Sequence, residues 1–110
     1  MNSAIALANS SFNIDLHDSI KYITGGIKST VLVKNGNSQY NLFCLTAGTK
    51  IKEHTSACDA VISVVEGKGQ LTLGDEDITL VPGVVVFMLA NTPHTVRAKE
   101  NLAFMLILSE

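Results

Sequence analysis

The stretch EHTSACDAVISVVEGKG, Glu53 to Gly69, decides how this chain is read. It opens on a histidine, runs through the β-branched series DAVISVVE, and breaks at Gly67-Lys68-Gly69. Side chains branched at Cβ suit extended backbone, and glycine permits the positive φ of a tight turn. DAVISVVE is therefore a strand closed by the GKG turn. The same alternation extends in both directions. Toward the C-terminus, QLTL runs into GDED, ITLV into PG, VVVFML into ANTP, and NLAFMLILS closes the chain. Toward the N-terminus, QYNLFCLT is closed by AGTK, and STVLVKN by NGNS, where Asn35-Gly36 is a hairpin signal. Short strands at this spacing predict an all-β sandwich or barrel.

The barrel is expected over residues 28–109, preceded by an N-terminal segment, 1–27, within one domain of 110 residues. After Lys28 no long stretch keeps a helical period. The segment IDLHDSIKYI, Ile14 to Ile23, predicts a helical turn started by Asp15 or Asp18. Residues 1 to about 12 are expected to add little stability, as chain ends without tertiary anchors do.

Several strands are apolar on both faces. In DAVISVVE, Ala60, Ile62 and Val64 share one side, while Val61 and Val65 share the other with Ser63. A barrel in water needs only one apolar face. The surplus must be covered by a second sheet, by the N-terminal segment or by a second copy of the chain, so a homodimer is expected.

Composition excludes several roles. The net charge is −2, with scattered lysines and a pI near 5.8, which leaves no electrostatic footprint for nucleic acid or an anionic membrane. Cys44 and Cys58 form no CxxC or zinc-ligand pattern and are expected as small buried hydrophobes. The N-terminal MNSAIALANSSF has no basic region ahead of its short apolar run, so it does not fit a signal peptide. No run approaches a membrane-spanning length. The cytoplasm is the default compartment.

His94, which stands behind Thr92-Pro93, follows His54 by forty positions. Around the first, Gly48 is followed by five residues and then His54, with Ser56 two residues on and Gly67 further along. Around the second, Gly83 precedes His94 by eleven positions, with Leu89 and Asn91 between. These spacings resemble the two motifs of the cupins, a family of double-stranded β-helix, or jelly-roll, barrels. The resemblance covers Gly48 to Ala98, about half the chain. It implies that His54 and His94 lie on the inner wall of one pocket.

The departures fall on the chemistry. The cupin metal cage resembles three histidines and one carboxylate holding iron, manganese, nickel or zinc. Ser56 stands at the second histidine position, Ala60 at the carboxylate position, Asn91 at a motif glycine and Ala98 at the closing Asn. Two ligands of four carry over, His54 and His94. Asp59, beside the vacant carboxylate position, supplies a third arm only if its strand bulges; otherwise alternation turns it away. His17 could in principle fold over the mouth. By parity, Ser56, Ala60 and Ile62 are expected on the same wall as His54, with bulk from among Phe43, Phe87, Met88 and Phe104. Catalytic residues are not assignable: there is no GxSxG, no phosphate loop and no paired carboxylates. The expectation is a small stand-alone cupin that binds a small molecule in its pocket. The alternative is a metal-dependent oxygenase or isomerase with a reduced ligand set.

Overall fold

The computed structural model describes residues 10–110. Among these residues, nine strands follow a single helical turn, α1 (Leu16–Ser19). They are β1 (Ile27–Asn35), β2 (Ser38–Leu45), β3 (Lys50–His54), β4 (Asp59–Glu66), β5 (Gly69–Leu73), β6 (Glu76–Leu80), β7 (Val85–Met88), β8 (His94–Ala98) and β9 (Leu102–Ser109). They form two antiparallel sheets, one in the order β1-β2-β9-β4-β7 and one in the order β3-β8-β5-β6. This is the all-β jelly roll expected from the sequence. Its first strand begins at Ile27, and the Asn35-Gly36 signal marks the hairpin between β1 and β2, with Gly36 at φ 61°.

The interior between the sheets is apolar. Leu45, Ile62, Leu71, Leu80, Leu102 and Phe104 are essentially inaccessible to water. Alternation along β4 buries Ala60, Ile62 and Val64 and leaves Val61, Ser63 and Val65 on the outer side, half-buried. That split follows the period-two geometry of a strand.

A second, smaller core lies on the outer face of the five-stranded sheet, where Leu32, Leu42, Cys44 and Ala103 pack beneath Ile14, Leu16, Ile20 and Tyr22. The N-terminal segment therefore covers part of the surplus apolar face. Asp15 caps α1 by accepting a hydrogen bond from the His17 amide. Tyr22 ties the segment down at its other end, its hydroxyl donating to Glu66 Oε2 at 2.7 Å. Burial first, then this carboxylate neighbour, pushes the Tyr22 phenol well above its ordinary pKa. Burial likewise raises the Cys44 thiol, opposed by a backbone hydrogen bond at Lys21. Both cysteines are free. The expectation for residues 1 to about 12 lies largely outside the described residues; of the three that are described, Phe12 is exposed.

Candidate functional site

His54 ends β3 and His94 begins β8, and the two are cross-strand partners. A bulge brings them together. From Ile51 to His54, β3 takes three steps, whereas β8 takes two from Val96 to His94. The extra residue flips the side-chain parity, so that His54 shares the inward face of Ile51. Without it, strict alternation would turn His54 to the outside. Glu53, between them in sequence, is exposed.

The imidazoles pack with ring centroids 4.2 Å apart and planes tilted by 58°. They close one end of a cavity of about 60 Å³ whose other walls are Phe43, Ile51, Ile62, Val96, Phe104 and Leu106. That is room for several waters or for a ligand of a few heavy atoms. Phe43 and Phe104 face each other across β2 and β9 and stack with centroids 5.4 Å apart. His94 is only 7% exposed, whereas His54 stands at the open mouth.

Each ring has the same anchor. His54 Nδ1 lies 2.9 Å from the carbonyl oxygen of Lys52, and His94 Nδ1 2.9 Å from that of Thr92. A carbonyl only accepts, so each Nδ1 carries the hydrogen and donates it. In the neutral ring this leaves Nε2 as a bare acceptor on the other side of the imidazole.

The remaining sequence candidates have other duties. Ser56 is not on the strand with His54, because β3 ends there. It sits in the following loop, its hydroxyl accepting from the Cys58 amide and its carbonyl from the Asn91 amide at 2.7 Å. Ala60 faces inward but belongs to the packed core beside Met88 and Leu108 rather than to the cavity lining. Asp59 accepts a hydrogen bond from the Ala90 amide at 2.8 Å. Asp59 and Ser56 thus clamp the loop after β3 to the loop before β8, the two loops next to the histidines. His17 lies on exposed α1, on the segment covering the outer face. Phe87 is exposed, and Met88 is core but does not line the cavity.

This donor set does not fit the cupin metal cage. Among the described residues, no group of three His, Cys, Asp or Glu side chains converges. Two imidazole nitrogens without a carboxylate fall short of the three protein ligands that metal centres of this kind require.

The sequence matches the cupin domain family over residues 41–109, and the chain belongs to that family. It is similar to a solved conserved protein of unknown function from Streptococcus pyogenes, with 24% identity and a TM-score of 0.83, covering 100% of this chain and 96% of that one. A cupin superfamily protein from Desulfitobacterium hafniense matches with 22% identity and a TM-score of 0.82, over 91% of this chain and 92% of that one. A more distant match is a salicylate 1,2-dioxygenase from Pseudoaminobacter salicylatoxidans, with 17% identity and a TM-score of 0.73, over 86% of this chain and 30% of that one. Comparison with curated proteins finds no match. Among the described residues, no helix is long and apolar enough to cross a membrane.

Proposed function

We propose that this protein binds a small, mostly apolar molecule in the cavity between its sheets, held at one end by the two histidines. The observation that carries the reading is the cavity itself: six apolar side chains and two anchored imidazoles converge at an open end of the barrel. Small-molecule sites combine apolar walls with a few placed polar groups in this way. The fold alone decides nothing, since it occurs both in a dioxygenase and in a protein of unknown function. The metal-dependent alternative has no third or fourth ligand at this site among the described residues.

A thermal-shift screen of small apolar and amphiphilic compounds tests the reading. A ligand present at about a hundred times its Kd stabilises by roughly 2.7 kcal/mol, which moves a domain of this size by about 10 °C or more. Ile62→Phe, which fills the cavity, should abolish the shift. Hits that bind the filled protein equally well would place binding elsewhere and overturn the proposal.

A further inference from the structure

The histidine end of the cavity carries an unanswered acceptor. His94 is 93% buried, since 7% of it is exposed, and its Nδ1 hydrogen is committed to the Thr92 carbonyl. Its Nε2 lone pair has no hydrogen-bond partner among the described residues, although the ring lines the cavity. A buried polar atom without a partner costs about 1–3 kcal/mol, so such atoms normally meet a water or a ligand. His54 has the same tautomer at the mouth, which places a second Nε2 acceptor close by. The site thus offers two acceptors and, from the rings, no donor.

We infer that the cavity selects a small neutral molecule that carries a hydroxyl or N–H donor on a short apolar body, the donor being delivered to His94 Nε2. This rests on the reading of the cavity as a binding site. A carboxylate cannot satisfy the two rings in their neutral form, because both it and a bare Nε2 only accept; it would have to bring a proton with it. Burying an anion among Phe43, Ile62, Phe104 and Leu106 also carries a desolvation cost that neutral imidazoles do not offset. An ammonium group meets the same cost. A compound of the same shape without a donor leaves His94 Nε2 unanswered.

Three probes of nearly equal shape separate these cases: propionamide, butan-2-one and propionate. The first donates, the second is neutral without a donor, and the third is an anion that only accepts. They are titrated into the intact protein at pH 8 and followed through the methyl resonances of Ile51, Ile62, Val96 and Leu106 and the ring ¹⁵N resonances of both histidines, which report the tautomer directly. Propionamide should bind roughly tenfold more tightly than either of the others, the value of one hydrogen bond in a buried site. It should also move the His94 Nε2 resonance upfield. In His94→Phe the preference should vanish; if that variant fails to fold, the three titrations of the unchanged protein decide alone. Equal binding of butan-2-one, or tighter binding of propionate, would overturn the donor inference and leave the binding site standing. No movement of the cavity methyls with any probe would overturn both.

Discussion

Gly67 adopts φ 93°, and a Cβ built there would collide with the backbone carbonyl of Asn101. The position therefore demands glycine twice, for conformation and for space. Gly67→Ala is expected to cost about 3 kcal/mol or more, combining backbone strain with overpacking against immovable main chain, and denaturant unfolding measures it. Asn91 shows the same demand in a milder form. It stands where the resembled motif has glycine, and its φ is 67°. Asn tolerates the left-handed region better than most residues, and here its amide ties the two loops beside the histidines. Asn91→Gly should be neutral within about 0.5 kcal/mol, whereas Asn91→Ala should lose about 1 kcal/mol. The histidines lead to a third expectation. Zinc titrated into the purified chain should bind weakly, with His94→Ala removing what binding there is. One zinc per chain at submicromolar strength would defeat the two-ligand reading.

Elements were unevenly legible in the sequence. The strands that pack broad apolar faces, β1, β2, β4, β7 and β9, were readable from β-branched runs and turn glycines. The strands that carry both histidines were not read as strands. β3 is KIKEH and β8 is HTVRA, short and charged, with Ile51 and Val96 as their fully inward apolar anchors. The β3 bulge hides Ile51 from a parity argument, and the end of β3 at His54 stops parity from carrying on to Ser56; Ala60 does face inward, but in the packed core rather than on the cavity wall. Asp59 was read as a potential ligand, but a carboxylate beside a free backbone amide has a nearer use, and only the fold brings Ala90 there. The N-terminal segment shows its own chemistry at high pH. The folded pKa of Tyr22 lies above its unfolded value near 10, so its contribution to stability is complete below about pH 10 and is lost as pH rises from there toward the folded value. Cys44, raised in the same sense, adds to the loss from about its unfolded value upward. Stability measured from pH 8 to 11 should therefore fall toward the alkaline end, and Tyr22→Phe should flatten part of that fall. An unchanged slope in the variant would mean that the Tyr22–Glu66 tie does not persist in solution.

At the scale of the whole molecule, an apolar row on the outer face of the five-stranded sheet remains uncovered among the described residues. The N-terminal segment protects the β1-β2-β9 part of the outer face, but β7 forms the opposite edge, and Val85 and Phe87 on it and Leu89 just after it are 63%, 57% and 64% exposed. Phe87 lies beside Val61, and Val61 beside Ile107, so the apolar row continues across β4 into β9, with the hydrogen-bonded carboxylate of Asp59 at its rim. We propose that a second copy of this chain covers it. An apolar row of this kind complements itself across a two-fold axis. The three exposed side chains present about 300 Å² between them, taking roughly 150–250 Å² for a full aromatic residue. A specific interface needs about 500 Å² per partner, so they supply its centre and the half-buried Val61 and Ile107 extend it. The position also bears on the cavity. Leu89 opens the loop whose Asn91 is clamped to Ser56, so a copy seated on β7 would hold the mouth between His54 and His94 in place. Sedimentation at micromolar concentration should give twice the chain mass. Phe87→Glu, at an exposed site, should give a folded monomer with an unchanged far-ultraviolet spectrum and weaker binding of any cavity ligand. A monomeric natural chain across that concentration range would remove the dimer, while a dimer indifferent to Phe87→Glu would move the interface away from β7.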